Sequence, residues 1–295
     1  MNGEVGRILG GPADGHDESR RQLGVGGAGP APGQDTQDDK ETARETADAG
    51  RRRLHGRIVP YNAEAMPRLT LRRASPVRRR LLRLYEALSR RYGPQGWWPA
   101  RSTFEVVVGV ILTRHAAWPT AKPVVARLRA AGSLTPSAVA RLTPERLAAL
   151  LHPSGPFRLE ARRLRAFVDH LAARHGGHLG RMLRQPVDRL RAELLDIPGI
   201  GLQTAEAILL YAAGRPVFVV DADTRRVLAR HRIVSPTADY AALRTLFMTN
   251  LPHDPALFNE YHALVVRVAK AHCRTRPDCA GCPLRPDLGG RPPRG

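Results

Sequence analysis

The sequence predicts an all-α protein from about residue 79 onward. Apolar residues recur at helical spacing in one segment after another, for example over 104–112 and 164–171, while the alternation typical of strands is almost absent. Roughly 210 residues are enough to bury the cores of two helical lobes. The sequence contains no internal repeats.

Residues 1–78 are expected to form a disordered tail. They are rich in Gly, Asp, Arg and Pro and lack apolar periodicity, so they cannot bury enough surface to offset the entropy lost on ordering. A second, short tail is expected at 289–295. No apolar run approaches the roughly 18 residues that a membrane span needs, and nothing resembles a signal peptide, so no membrane partner is expected.

The chain is strongly basic, with a formal net charge of +20. Residues 1–50 hold five Lys or Arg against ten Asp or Glu, so the positive charge lies in the rest of the chain. A field of that sign attracts phosphate backbones. Because nearly all the basic residues are arginine, a compositional bias of the genome is an alternative source of the charge, which therefore supports nucleic-acid binding only modestly.

A tight turn, which we call the hairpin, is predicted at Pro198, Gly199, Ile200 and Gly201. Two glycines allow a sharp turn and close approach to another molecule, and the N–H groups that open the next helix can bind a phosphate oxygen. Apolar residues at helical spacing flank the turn: Leu190, Leu194, Ile197, Ala205, Ile208, Leu209 and Ala212. The pattern predicts a helix, a hairpin and a helix, and an ordinary helix connection is the alternative.

Asp221 follows an apolar run, residues 217–220, that is too short and too apolar for an exposed helix. This run is predicted to be buried and to place Asp221 at the mouth of the cleft that the hairpin borders. Helical spacing resumes at Thr224, Val227 and Leu228, so Asp221 also occupies an N-cap position. Capping alone is the simpler explanation, and the neighbouring hairpin favours a catalytic carboxylate.

The pattern GIGxxTAxxILxYA at 199–212, followed by Val219-Val220-Asp221, resembles the helix-hairpin-helix superfamily of base-excision DNA glycosylases, of which endonuclease III is the best-known member. Three upstream segments resemble the branch that includes bacterial 3-methyladenine DNA glycosylase III: residues 93–99, 104–113 and 153–155. Several separated motifs in the right order are more specific than any one alone.

The resemblance implies a two-lobed arrangement. A six-helix barrel would span 103–215, and a second lobe with a cysteine loop would combine 79–102 with 216–288. The implied partner is double-stranded DNA with a damaged base, which is rotated out of the duplex into the cleft while the hairpin, together with Thr204, holds the backbone. A monomer with a cytoplasmic, nucleoid-associated location is expected.

In that family the residue at the position of Asp221 is the catalytic carboxylate. Cleavage of the N-glycosidic bond builds positive charge on the deoxyribose, which a carboxylate stabilises while it orients the attacking water. Endonuclease III also carries a lysine beside its hairpin that attacks the sugar as a Schiff-base nucleophile. The matching residue here is Gln203, which cannot form an imine, so the resemblance implies a monofunctional glycosylase with little or no lyase activity.

A pocket for the damaged base is implied at Trp97, Trp98, Pro99 and Trp118. Aromatic faces suit an alkylated base, because a positively charged ring gains cation–π attraction that a neutral base lacks. Methylated purines are therefore the first expectation. The alternative is that these tryptophans simply fill the core.

Besides Gln203 and Leu288, three further residues depart from the family pattern. Arg114 and His115 stand where the family usually carries Gln-Asn, which fills the gap left by the extruded nucleotide, although both can still wedge or hydrogen-bond. Glu160 stands where a lysine is common. These departures keep open a second function, a catalytically silent helix-hairpin-helix protein that binds kinked or damaged DNA.

The three cysteines of the chain cluster near its end, at Cys273, Cys279 and Cys282. Clustered thiols without a secretory signal favour metal over disulfide. Endonuclease III relatives hold a [4Fe–4S] cluster here with four cysteines, but the fourth position is Leu288. The alternatives are a cluster completed by His272, Asp287 or an exogenous ligand, a zinc ion, or no metal.

Overall fold

The computed structural model describes residues 75–97, 100–114, 116–151 and 157–294. Over these ranges the protein is helical and contains no strand, which confirms the all-α prediction. Most of the predicted tail, residues 1–74, lies outside the described residues. None of the helices described is both long enough and apolar enough to cross a membrane.

Twelve α-helices, labelled α1 to α12, make up most of the described ranges. They are α1 (Pro76–Tyr92), α2 (Thr103–Leu112), α3 (Trp118–Ala130), α4 (Pro136–Arg141), α5 (Pro144–Leu151), α6 (Arg158–His175), α7 (Leu179–Leu183), α8 (Val187–Asp196), α9 (Leu202–Ala207), α10 (Ala222–Arg230), α11 (Tyr240–Asn250) and α12 (Pro255–Ala271). A π-helical turn, Ile208–Ala212, continues α9, and a 3-10 turn, Arg285–Leu288, follows α12.

Helix α1 packs on the C-terminal helices α11 and α12. It begins three residues inside the predicted tail, because the Ser75 side chain accepts the N–H of Arg78 at 3.1 Å and caps the first turn. At the contact with α12 the Tyr261 hydroxyl donates to the carbonyl of Leu81 at 2.7 Å. The first described helix therefore packs on the two C-terminal helices.

Helix α2 is buried on all sides, although its sequence predicts only one apolar face. The reason is that α3, α6, α9 and the π turn all pack around it. Glu105 is its single charged residue and is buried. Its carboxylate accepts hydrogen bonds from the Arg129 guanidinium and, at 3.1 Å, from the N–H of Arg101, which provide the partners that a buried charge needs.

The apolar run at 217–220 is buried, as predicted. Phe218 stacks on Phe247 with ring centroids 3.6 Å apart and meets the edges of Phe258 and Tyr261 at 5.5 and 6.0 Å. These rings belong to α11 and α12, so they fix the run against the C-terminal helices. The position of Asp221, the next residue, follows from this packing.

Residues 289–294 return to α10, which corrects the free tail predicted at 289–295. The N–H of Arg294 donates to the carbonyl of Arg230 at 3.1 Å, and the Arg232 guanidinium donates to the carbonyl of Pro292 at 2.9 Å. Such contacts have no signal in a stretch of Gly, Pro and Arg.

Replacing Phe218 with Ala should lower the free energy of unfolding by about 3–5 kcal/mol, because it leaves a cavity among the packed rings. Urea unfolding followed by circular dichroism measures this change. Leu159→Ala is the control, since Leu159 is 44% exposed and its loss should cost no more than about 0.5 kcal/mol. Equal losses in the two variants would contradict the described packing.

Candidate active site

The hairpin connects α8 to α9 and exposes most of its backbone. The turn is closed by the N–H of Ile200, which donates to the carbonyl of Ile197 at 3.0 Å. Pro198, Gly199 and Gly201 are exposed, whereas Ile200 is buried and anchors the turn. The turn therefore presents its backbone to solvent while one apolar side chain holds it to the protein.

Gly199 is required by both conformation and space. Its φ of +85° lies in the left-handed region, and a Cβ there would stand 2.7 Å from Cγ of Arg163. Arg163 in turn contacts the buried carboxylate of Glu160, with Nη1 3.3 Å from Oε1. Glu160, which departs from the family pattern, thus pairs with the arginine that supports the hairpin.

Helix α9 begins at Leu202 with no side chain capping it at Gly201. The N–H groups of its first turn therefore have no capping side chain and carry the positive end of the helix dipole. Thr204 is buried, so its side chain does not face solvent. Gln203 is half-buried in the same turn.

Asp221 is both a helix cap and a partly open carboxylate. Its Oδ1 accepts the N–H of Thr224 at 2.6 Å, which caps α10. Its Oδ2 lies 3.5 Å from Nε2 of His262, and the side chain is 17% exposed. Asp221 therefore caps α10 and keeps part of its side chain exposed, so the two roles weighed for this residue do not exclude each other.

A buried histidine and a half-buried tyrosine lie next to Asp221. His262, on α12, contacts Asp221 through Nε2 and the Tyr211 hydroxyl through Nδ1, the latter at 2.6 Å. Nδ1 shares a hydrogen bond with the Tyr211 hydroxyl, while Nε2 makes no hydrogen bond with the described residues and faces the carboxylate at 3.5 Å. Tyr211 lies on the π turn, a helical irregularity often found at functional sites.

The surroundings keep Asp221 ionised. Burial raises the pKa of its carboxyl, but the hydrogen bond and charge of His262 and the N–H of Thr224 outweigh burial and hold the pKa well below its ordinary value. The negative charge acts in return on Tyr211: burial first, and then the charge of Asp221, raise the pKa of that phenol, while a polar contact with Trp97 lowers it. Trp97 therefore lies in the same cluster as Tyr211 and Asp221.

The remaining predicted residues are less closely tied to this cluster. Trp118 is half-buried at the first position of α3, and Arg114 is exposed just after α2. Three predicted residues lie outside the described residues: Trp98, Pro99 and His115.

Sequence reasoning missed His262 and Tyr211. His262 lies on a long helix among residues that are mostly apolar, so a core position was the natural interpretation. Tyr211 did belong to a motif, as the tyrosine of GIGxxTAxxILxYA. The hydroxyl of Tyr211 could have identified it as a site residue, because a phenol inside the protein needs a hydrogen-bond partner.

The three cysteines line one pocket at the end of α12, together with His272. The Arg230 guanidinium donates to Sγ of Cys273 at 3.4 Å, which places positive charge beside the thiols.

The ligands available do not fit a cluster held by four thiolates. Leu288 is buried and apolar at the fourth position. Asp287 is already held by Arg80, with Oδ2 2.8 Å from Nη2, and by His231, with Nδ1 2.8 Å from Oδ2. Of the candidate fourth ligands that the sequence offers, His272 is the one that shares the cysteine pocket.

Comparisons with known proteins agree with this geometry. The sequence profile of the HhH-GPD superfamily, described as base excision DNA repair proteins, matches residues 108–253. The Methanocaldococcus jannaschii protein MJ1434, which carries the name of a DNA repair glycosylase, is 36% identical over 207 residues that cover 70% of this chain and 94% of that protein. The thymine/uracil-DNA glycosylase of Pyrobaculum aerophilum is 28% identical over 65% of this chain and 82% of its own length.

Solved structures share the fold. An endonuclease III trapped covalently on DNA aligns with a TM-score of 0.60 and 22% identity, covering 70% of this chain and 93% of that chain. The H. pylori 3-methyladenine DNA glycosylase MagIII bound to 1,N6-ethenoadenine aligns with a TM-score of 0.56 and 22% identity, covering 65% and 97%. Fold, motifs and sequence identity agree, and the chain belongs to the HhH-GPD superfamily of base excision DNA repair proteins.

Proposed function

We propose that the protein is a monofunctional DNA glycosylase that hydrolyses the N-glycosidic bond of an alkylated base flipped out of double-stranded DNA. The observation that carries this proposal is the state of Asp221. Its carboxylate is ionised, and its side chain is mostly buried but 17% exposed.

Asp221 would act on the sugar. Departure of the base leaves positive charge on the deoxyribose, and a carboxylate in a site of low dielectric stabilises that charge more strongly than it would in water. The Thr224 N–H fixes Oδ1, which leaves Oδ2 to face the sugar or to orient the water that attacks it.

His262 would be a positioning residue. It touches the carboxylate through Nε2 and is itself held by Tyr211, so it sets the direction of Oδ2 and keeps the carboxyl ionised. Because His262 is only 6% exposed, water cannot readily replace it.

The hairpin would hold the DNA backbone. Its exposed turn and the first N–H groups of α9 suit a phosphate oxygen, and Arg163 supports the turn from behind. Arg114 is exposed at the end of α2, where it would fill the space left by the flipped nucleotide.

An alkylated base is the proposed substrate because Trp97 belongs to the cluster around Asp221. An indole face attracts a positively charged ring. Trp98, Pro99 and Trp118 are proposed to complete the pocket. The likeness to MagIII with its bound ethenoadenine agrees with a modified purine, while the named substrates of the Pyrobaculum relative, thymine and uracil, define the lesions to test beside it.

The cysteine pocket is proposed to have a structural role, with no part in bond cleavage. An iron–sulfur cluster held by the three thiolates is the proposed occupant, because the three cysteines line one pocket at the position where endonuclease III relatives hold such a cluster. When bound, it would fix the loop after α12 beside α10.

Replacing Asp221 with Asn should lower the rate of base release at least about 100-fold, because Asn still caps α10 but carries no charge. Single-turnover release of free base is measured on duplexes that each carry one alkylated, deaminated or oxidised base. Asp223→Asn is the matched control, since this carboxylate lies in the same turn and pairs with Arg226. Equal inertness of the wild type and both variants on every lesion would instead favour the silent DNA-binding protein.

Replacing His262 with Leu should move the acid limb of the pH–rate profile to higher pH. The pKa of Asp221 is depressed in the folded protein, so its carboxylate is lost only as the pH falls through that low value. Without His262 the effect of burial, which raises the pKa, is less opposed. His262→Gln keeps a donor and should shift the limb less.

The control for this profile is His253→Leu, because His253 is exposed and bonds only to the carbonyl of Met248 among the described hydrogen bonds. A fall in rate with an unmoved acid limb would show that His262 matters for folding alone.

Borohydride should trap no covalent adduct between the wild-type protein and DNA, because Gln203 cannot form an imine with the sugar. A bifunctional endonuclease III run in parallel provides the positive control. A wild-type adduct that disappears on replacing the exposed Lys122 or Lys270 would overturn the monofunctional assignment.

A further inference from the structure

Two histidines and a glutamate meet between α6 and α8, away from the cysteine pocket. His170 and His175 belong to α6 and Glu193 belongs to α8. Both imidazole Nε2 atoms contact the same carboxylate oxygen, Oε1, at 2.8 Å for His170 and 2.5 Å for His175. All three atoms lie within 4.8 Å of one another.

The carboxylate is held in place by a fourth residue. Gln185, in the link between α7 and α8, donates from Nε2 to the other oxygen of Glu193, Oε2. Glu193 is therefore held by both histidines at one carboxylate oxygen and by Gln185 at the other. The three candidate ligands are 11–16% exposed, which leaves room for water.

We propose that His170, His175 and Glu193 bind one divalent transition-metal cation of the zinc class, with water in the remaining coordination positions. Two imidazole nitrogens and one carboxylate oxygen are a ligand set that zinc accepts in open sites. The set contains no thiolate, which separates it from the cysteine pocket.

The contacts of 2.8 and 2.5 Å are hydrogen-bond distances, and a cation would take the place of both hydrogen bonds. Without a metal, both Nε2 atoms must carry protons aimed at one oxygen. With a metal, each imidazole keeps its proton on Nδ1 and turns the Nε2 lone pair toward the cation, which replaces the two bridging protons. A neutral pair of histidines, one carboxylate and a divalent cation leave a net charge of +1, which bound water can solvate.

The cation would stiffen the support of the hairpin. Glu193 lies three residues before Asp196, where α8 ends and the hairpin follows. Helix α6 carries Arg163, which packs against Gly199. A metal that joins α6 to α8 would therefore fix both sides of the turn. This inference does not depend on the proposed glycosylase activity.

The test uses the full chain without an affinity tag, stripped with a chelator and titrated with Co²⁺ and then Zn²⁺. A Cys279→Ser, Cys282→Ser double variant removes competition from the thiols. In that variant we expect one Co²⁺ to bind with visible bands typical of nitrogen and oxygen ligands and without sulfur charge transfer. Saturating Zn²⁺ should raise the Tm by about 5 °C or more when its concentration is a hundred times the Kd.

Glu193→Gln and His170→Gln in the same background should each weaken Co²⁺ binding at least about 100-fold, because each removes a ligand. Arg165 and Asp169 form an exposed pair on α6, so Asp169→Asn is the control and should leave Co²⁺ binding unchanged. Circular dichroism confirms that each variant is folded. Absence of Co²⁺ binding in the cysteine variant, or binding unaffected by both glutamine substitutions, would overturn the proposal.

Discussion

The proposed chemistry depends on a carboxylate that is mostly buried and yet ionised. Burial alone favours the neutral acid, so the charge of Asp221 exists only because the Thr224 N–H and His262 oppose burial. The same contacts fix its direction. A carboxylate held in this way needs little reorientation when positive charge develops nearby. This is the condition for electrostatic stabilisation of a transition state.

Much of the described fold can be understood as holding that group in place. The run at 217–220 brings it to the surface, and the rings around Phe218 fix the run against α11 and α12. Helix α12 supplies His262, and the π turn after α9 supplies Tyr211. The hairpin therefore continues into α9 and the π turn. The π turn supplies Tyr211, which contacts His262, the residue that orients the carboxylate.

The elements that apolar spacing defines could be predicted from the sequence. The faces at 104–112 and 164–171, the buried run at 217–220 and the N-cap position of Asp221 all have local signals, and the structure confirms them. Contacts between distant segments have no local signal in the sequence. The pairing of Asp221 with His262 joins residues 41 positions apart, and no local pattern marks which buried polar residue will face which.

Reasoning from the local sequence also missed the contacts of residues 289–294 and of Glu160. The return of residues 289–294 to α10 depends on backbone hydrogen bonds, which composition does not encode. Glu160 was interpreted only as a departure from the family's lysine, and the structure shows that it is buried and paired with Arg163, which contacts the hairpin. The role of Glu160 is visible only together with Gly199, which lies 39 positions away and packs against the same arginine.

The most direct test of the central claim is a comparison of two abasic-site analogues in duplex DNA, a cationic azasugar and the neutral tetrahydrofuran. If Asp221 stabilises positive charge on the sugar, the wild-type protein should bind the cationic duplex more tightly, and Asp221→Asn should lose that preference while it binds the neutral duplex as before. The same preference for the cation in wild type and variant would contradict the account.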